Sequence, residues 1–305
     1  MSSKLLHESE FARAVEIERT QGTVPVRHPW RIVSGVLVGL VVLGAIVSVA
    51  RNEAFQWDVV AEYFFSGRIL HGLWLTLWLT AVSTVLAFVV GTILAVMRMS
   101  HNAVLQAVSW AYVWLFRSIP LLVQLLFWFN IGYLYPKISL GIPFGPEWFS
   151  IETSDLIASS MVAIIGLTLH ESAYAAEIIR SGLLSVDAGQ TEAAEALGMP
   201  HGRILRRIVL PQAMRVILPP AGSLLISTLK ATSMVSVIAV TDLLYAAQLI
   251  YNQNFLVIPL LMVVTIWYLI LTSLLSVGQQ FVEKRFARGT TRTATSTSLG
   301  TEADI

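Results

Sequence analysis

The chain has no cysteine among its 305 residues, and Asp, Glu, Lys and Arg together make up only 13% of it. The absence of cysteine excludes disulfide bonds, thiol catalysis and thiolate metal sites. The formal net charge of +1 provides no general attraction to nucleic acid. By contrast, 55% of the residues are hydrophobic and the mean hydropathy is +0.71, which favours a membrane protein over a soluble domain.

Several sequence motifs of enzymes are also missing. No Lys follows a Gly, so the chain has no Walker A phosphate-binding loop. It has no Gly-x-Ser-x-Gly elbow, and no pair of His residues has metal-ligand spacing. We therefore predict that the chain is not an enzyme, that it binds no metal or other cofactor, and that any ATP hydrolysis belongs to another protein.

Six stretches are apolar enough to cross a bilayer, which takes about 20 residues. They predict an all-α integral membrane protein with six transmembrane helices. The stretches are 32–50, 69–97, the part of 119–135 that follows the break expected at Pro120, 156–179, 216–240 and 255–277. Between the second and third, 103–116 carries Trp110, Tyr112 and Trp114, which is typical of a helix lying at the cytoplasmic interface.

The orientation of these spans follows from the positions of Lys and Arg. With the N-terminus in the cytoplasm, 16 of these residues lie inside and only Arg51, Arg68 and Lys137 lie outside, while Lys230 falls within a span. This bias predicts that both termini are cytoplasmic. Ser48-Val49-Ala50 also resembles a signal-peptide cleavage site, but 19 apolar residues exceed the usual 7–15, which favours an uncleaved anchor.

The segments outside the spans are polar. Residues 1–31 predict a cytoplasmic segment that is either a poorly ordered tail or a short surface helix. The stretch 136–154 holds three prolines and two glycines and predicts an external loop. Residues 282–305 form a cytoplasmic tail, rich in Thr and Ser from Gly289 onward, that we expect to be disordered.

The cytoplasmic segment 181–211 is too polar for lipid but unlike a linker. Residues 190–197 are dense in Ala, Glu and Leu and predict a helix that Gly198 and then Pro200 end. A second helical stretch, 203–210, is expected to stop at Pro211. The two short helices would form a rigid projection from the membrane, or simply a cytoplasmic hairpin of no special role.

This segment resembles the EAA signature of ABC importer permeases. The elements, at the family's spacing, are Glu192, Ala193, Ala194, Gly198, Ile208, Leu210 and Pro211. In that family the segment forms the coupling helix that docks in a groove of the ATPase subunit. The resemblance implies that these seven residues couple this chain to an ATP-binding cassette ATPase.

The flanking residues are similar to the polar amino-acid uptake permeases. The similar stretches are 116–124 (FRSIPLLVQ) and 229–240 (LKATSMVSVIAV), together with Ala173-Tyr174, Glu177-Ile178, Arg180, Gly189-Gln190 and Pro211-Gln212-Ala213. The resemblance covers about 70–281 and implies a type I ABC importer permease core of five helices, with 32–50 as an extra N-terminal transmembrane helix. It further implies a bacterial inner membrane location and transport of polar L-amino acids by alternating access. The implied partners are a periplasmic amino-acid-binding protein and a second permease subunit, identical or not.

Four polar residues in the predicted spans are candidates for the substrate path: His170, Glu171, Ser227 and Lys230. A charge at the bilayer centre costs about 2.5–3.5 kcal/mol, so such residues usually face a cavity or a partner. Glu171 and Lys230 would suit the ammonium and the carboxylate of an amino acid. The other interpretation is a structural ion pair between the spans, with the serines permitting close packing.

A proton- or sodium-coupled secondary transporter is the alternative function. It would use His170 and Glu171 as its ionisable groups, and it would explain why they lie in a span. It leaves the EAA spacing unexplained, and the sequence has no internal repeat of the kind that secondary transporters carry.

Overall fold

The computed structural model describes residues 29–141, 147–152 and 158–286. Most of these residues are helical. The helices are α1 (Pro29–Arg51), α2 (Trp57–Phe64), α3 (Gly67–Met99), α4 (Ala103–Ser118), α5 (Leu121–Phe129), α6 (Ile131–Leu134), α7 (Ser159–Leu184), α8 (Ala188–Ala196), α9 (His201–Ile204), α10 (Leu210–Ala231), α11 (Leu243–Asn254) and α12 (Val257–Phe286). Shorter elements are the strands β1 (Lys137–Gly141) and β2 (Glu147–Glu152), the 3₁₀ segments Glu53–Phe55 and Thr232–Ile238, and a π turn at Leu205–Val209.

The chain divides into two compact units, residues 1–55 and 56–305. The described part of the first unit is α1 with the 3₁₀ turn after it. Over its 23 residues α1 is apolar around its whole circumference, and its only charged residues are Arg31 and Arg51. At 1.5 Å per residue it is about 35 Å long, enough to cross a hydrocarbon core of about 30 Å.

The predicted membrane class is confirmed. Five helices are long and apolar enough to cross a membrane, and the bent pair α4–α5 brings the total to as many as six. Four of the five long helices match predicted stretches closely, namely α1, α3, α7 and α12. The predictions for 1–28 and 287–305 lie outside the described residues, while 282–286 continue α12 as helix.

The break predicted at Pro120 is confirmed, but the helix that follows it is shorter than the predicted third span. Helix α4 ends at Ser118, α5 begins at Leu121, and the two meet at 102°. Because α5 has nine residues, it is only about 14 Å long and cannot cross the bilayer alone. It ends where the side chain of Asn130 donates to the carbonyl oxygen of Leu126, 2.7 Å away.

The prediction that the helix after Gly198 stops at Pro211 is wrong. From His201 to Ile238 the chain is one helical run of 38 residues. A π turn precedes the proline, and within it the N–H of Leu210 donates to Leu205, five residues back. This wider turn provides a physical reason for continuity, because a proline in a regular α-helix clashes with the carbonyl four residues earlier. The run ends at Ile238, two residues before the prediction, and Ala239 is left-handed with φ of 58°.

Two elements on the predicted outer side were not expected. Strands β1 and β2 pair antiparallel in the 136–154 stretch, with Lys137 opposite Glu152. After the 3₁₀ segment comes α11, which begins at Asp242, whose carboxylate accepts from the N–H groups of Leu244 and Tyr245. Burial raises the pKa of this carboxyl to about 7, although the two N–H donors favour its charged form.

Helix α7 is the central helix of the second unit, and small residues set its distance from its neighbours. Ala175 and Ala176 lie against Gly91 of α3 so closely that a Cβ at Gly91 would be 2.7 Å from the Cβ of Ala175. Toward its beginning, Gly166 lies against Leu125 of α5 in the same way. Such small-residue contacts are how transmembrane helices approach closely without a hydrophobic driving force between them.

We expect Gly91→Ala to lower the melting temperature of the purified protein. The added methyl group would meet Ala175 and the backbone nitrogen of Ala176 at 2.9 Å, and overpacking of this kind costs about 1–3 kcal/mol. The control is Gly39→Ala, since a Cβ at Gly39 meets nothing within 4 Å. Equal melting temperatures for the two variants would contradict close α3–α7 packing.

Candidate functional site

The EAA segment folds as a helix, a glycine turn and the start of a long helix. Helix α8 begins after Asp187, whose side chain accepts from the N–H of Gly189. At its end the N–H of Gly198 donates to Glu195 and that of Met199 to Ala194. These two bonds make a Schellman motif, which requires a left-handed residue at Gly198, and φ there is +72°. The predicted helix end at Gly198 is therefore confirmed.

One face of the EAA segment is buried within the protein, and most of its other residues are exposed. Ala194 and Ile204 are buried between α8 and the start of the long helix. Glu192 and Ala193 are exposed, and Leu197 at the tip is 83% exposed. In the same segment Ile208 is half-buried, while Leu210 and Pro211 are exposed. Exposure of a large apolar side chain to water is unfavourable, so the exposed tip suits contact with another protein.

His170 belongs to a polar contact that forms the corner between α4 and α5. The side-chain nitrogen of Gln124 lies 2.9 Å from the carbonyl oxygen of Phe116, 2.7 Å from that of Ile119, and 3.0 Å from Nδ1 of His170. Pro120 has no N–H to donate to Phe116, four residues earlier, and Ile119 lies at the end of α4, so both carbonyls need a donor from elsewhere. Gln124 thus ties the corner to α7. The sequence signal that could have predicted this contact is a glutamine in an apolar stretch, four residues after a proline.

Glu171 is the next residue along α7, and it faces a different neighbour. It is only 4% exposed. The side chain of Thr228, on α10, lies beside its carboxyl group, and the hydroxyl of Thr228 donates to the carbonyl oxygen of Leu224, 2.9 Å away. The carboxyl group of Glu171 is therefore buried within the protein, against α10.

Ser227 and Lys230 lie on a different side of α10 from Thr228, because successive residues of a helix are about 100° apart, which places Ser227 about 100° and Lys230 about 160° around the axis from Thr228. Both are exposed, as is Ser223 one turn earlier. The hydroxyl of Ser223 accepts from the side-chain nitrogen of Gln279, on α12, at 3.1 Å. We call Ser223, Ser227 and Lys230 the exposed polar face of α10.

The structure does not gather the four predicted path residues into one cluster. His170 contacts α5, Glu171 faces the interior side of α10, and Ser227 and Lys230 face outward. Among the described residues the ion pairs are Glu177 with Arg180 and Glu195 with His201, so none joins Glu171 to Lys230. The alternative of a structural ion pair between those two residues is therefore absent from this conformation.

Comparison with known proteins decides the family. The model of a family described as "binding-protein-dependent transport system inner membrane component" matches residues 87–288. The arginine transport system permease protein ArgU of Corynebacterium glutamicum is 45% identical, over 92% of this chain and 87% of ArgU. This chain belongs to that family. It is an ABC importer permease, a membrane transport component and not an enzyme, as the sequence predicted.

Other relatives agree with this assignment. The L-cystine transport system permease protein TcyB of Bacillus subtilis is 35% identical, over 81% of this chain and 97% of TcyB. A chain in the crystal structure of an amino acid ABC transporter with histidines is 31% identical and superposes with a TM-score of 0.63, covering 75% of this permease and 98% of that chain. The inward-facing methionine transporter MetNI, at 23% identity and a TM-score of 0.56, shares the fold. Family membership implies an ATPase and a binding protein as partners and a location in the inner membrane.

We expect Gln124→Leu to destabilise the permease, since it leaves the carbonyls of Phe116 and Ile119 without their donor. A buried polar group left unpaired costs about 1–3 kcal/mol, which would appear as a lower melting temperature. The control is Gln280→Leu at an exposed position of α12. A Gln124→Leu protein that melts at the wild-type temperature would show that the corner does not depend on this amide.

Proposed function

We propose that this permease moves a polar L-amino acid across the inner membrane by alternating access, driven by a separate ATPase. The observation that carries the proposal is that one helical run, 201–238, carries the exposed polar face and begins directly after the left-handed EAA turn at Gly198. The named relatives for arginine and L-cystine support the substrate class. Nothing in the described residues favours coupling to an ion gradient over coupling to an ATPase.

A second permease subunit, identical or homologous, would cover the exposed polar face. A lysine facing lipid costs about 2.5–3.5 kcal/mol at the bilayer centre, so Lys230 and its neighbouring serines need a partner or a water-filled path. A water-filled path between two permease subunits would supply both the partner and the water. Ser227 and Lys230 would then contact the substrate directly, with Lys230 opposite its carboxylate.

Glu171 and His170 complete the proposed path from the other side of α10. Glu171 is buried beside Thr228, the residue next to Ser227. A small movement between α7 and α10 would open the Glu171 carboxylate to the ammonium group of the substrate. His170, tied to the α4–α5 corner through Gln124, would move with α7.

The EAA segment would be the docking element for the ATPase. Glu192, Ala193 and Ala194 lie in α8, Gly198 lies in the turn after it, and Ile208, Leu210 and Pro211 lie in the continuous helical run that follows. Because this run leads without a break from the turn to Lys230, displacement of the turn by the ATPase would move the polar face directly. Alternating access then needs no other mechanical link.

The proposal includes an orientation and a division of the chain. Both termini and the EAA segment would be cytoplasmic, as the excess of Lys and Arg predicts. The β1–β2 hairpin would then be periplasmic. Beside it lies a groove of about 580 Å³ lined in part by Asn130, Tyr133, Lys137 and Glu152, which would help to receive the amino-acid-binding protein. The transport core would be 70–281, with 32–50 as an additional anchor.

We expect Gly198→Ala to reduce uptake, because a left-handed alanine costs about 1–2 kcal/mol, or roughly fivefold to thirtyfold in the population of the turn. A Cβ at Gly198 meets nothing within 4 Å in this chain, so crowding by its own residues is not the cause. Gly198→Asn should retain most uptake, since asparagine tolerates this conformation. The measurements are uptake and co-purification of the ATPase at matched membrane levels.

The matched control for this series is Gly202→Ala. Gly202 is also exposed and also has open space around it, but it lies within helix α9. Alanine favours a helix, so uptake by this variant should equal that of the wild type. Wild-type uptake by Gly198→Ala, or equal losses in Gly198→Ala and Gly202→Ala, would contradict the proposed role of the turn.

We expect Glu171→Gln and Lys230→Met each to raise the substrate KM by about tenfold to a hundredfold, the usual worth of a hydrogen bond to a charged group. Melting temperatures should not fall, because the two residues form no ion pair with each other. The measurements are uptake kinetics and melting of each variant. Lys284→Met, at the far end of α12, is the control for loss of a lysine.

A structural role for the same two residues predicts a different result. Breaking a buried pair strands a charge and lowers stability by about 3–5 kcal/mol, and the double variant would then restore it. Recovery of uptake and of melting temperature in Glu171→Gln/Lys230→Met would overturn the substrate-path assignment.

A further inference from the structure

Helices α3, α4 and α7 enclose a groove that the transport mechanism does not use. Its volume is about 420 Å³, within the usual range of small-molecule sites. The lining includes two arginines, Arg98 near the end of α3 and Arg117 near the end of α4, together with Tyr174 and Glu177 of α7. All four belong to the compact unit 56–305.

The groove carries net positive charge. Its one carboxylate, Glu177, is engaged by Arg180, whose Nε and Nη2 donate to the two carboxylate oxygens. Neither Arg98 nor Arg117 has a carboxylate within 4 Å among the residues that the structure describes. Glu177 attracts both guanidinium groups only at longer range, so the two arginines leave the groove lining with a net positive charge. A phosphate group is an anion that arginine binds well.

The aromatic residues of the groove restrict the position of Arg117 and indicate where the groove lies relative to the membrane surface. The guanidinium of Arg117 lies 5.1 Å from the centre of the Tyr174 ring, a cation–π contact that restricts its position. Trp110 and Trp114 stack with ring centres 6.0 Å apart, and both are more than half exposed. Exposed tryptophans of membrane helices favour the level of the lipid headgroups.

We propose that this groove binds the phosphate group of an anionic phospholipid of the cytoplasmic leaflet. Arg98 and Arg117 hold the phosphate, and the Trp110–Trp114 pair contacts the glycerol and the first part of the acyl chains. A soluble phosphate would use only the arginines. The exposed tryptophans beside them favour a lipid over a soluble anion or an acidic side chain of a partner protein.

The test uses the full chain, purified and delipidated, with phosphatidylglycerol titrated in and bound lipid counted by native mass spectrometry. Each basic residue near an anionic lipid surface is worth about fivefold in binding. We therefore expect Arg98→Gln/Arg117→Gln to weaken phosphatidylglycerol binding roughly tenfold to thirtyfold. Phosphatidylcholine should bind weakly to every variant.

Two further variants make the result specific. Lys284→Gln/Arg285→Gln removes the same charge from the exposed end of α12 and should leave the binding unchanged. Ser118→Asp keeps both arginines but adds a carboxylate to the groove lining, and it should weaken binding as much as the double arginine variant. This variant tests the groove independently of any effect of the arginine changes on folding.

Three results would overturn the proposal. The first is equal phosphatidylglycerol binding by the wild type, Arg98→Gln/Arg117→Gln and Ser118→Asp. The second is displacement of phosphatidylglycerol by inorganic phosphate at equal concentration, which would mean that the groove binds a free anion and that the lipid body adds nothing. The third is loss of the co-purifying ATPase in the groove variants with lipid binding unchanged, which would assign the groove to a protein partner.

Discussion

The close approach of α7 to its neighbours is the constraint on which the rest of the structure depends. Gly91 and Gly166 allow α3 and α5 to approach α7 to distances at which a single added methyl group would collide. This approach fixes the faces of α7 that carry His170 and Glu171. Near the C-terminal end of α7, Gly182 likewise lies against Ile217 of α10. Polar residues in a membrane can be held in this way only if the backbones are close enough for their side chains to reach partners.

Much of the fold could be predicted from the sequence because the bilayer limits the possibilities. Long apolar runs have to be helices, so the positions of α1, α3, α7 and α12 followed from hydropathy alone. The glycine turn at Gly198 was also predictable, since an Ala- and Glu-rich run followed by Gly and Pro has few other structures. The helix and the glycine turn in the first part of the EAA segment were therefore predicted correctly.

What the sequence did not reveal depends on contacts between distant residues. Pro211 indicated a helix end, but the π turn before it lets the helix continue, and no local pattern encodes that turn. The sharp corner after Ser118 depends on Gln124, whose amide bonds to Phe116 and Ile119 in a geometry that only the folded chain has. The charges of Glu171 and Lys230 suggested a pair, yet Glu171 on α7 lies beside Thr228, and Lys230 is on another, exposed side of α10.

We propose that energy enters this permease at the EAA turn and not through an ion gradient. The most direct measurement reconstitutes the chain with its ATPase, its second permease subunit and its binding protein in liposomes, and follows uptake of labelled polar amino acids. If the ATPase drives transport, we expect uptake that requires ATP and persists when proton and sodium gradients are collapsed. Uptake that proceeds without the ATPase and stops when those gradients are collapsed would contradict this proposal.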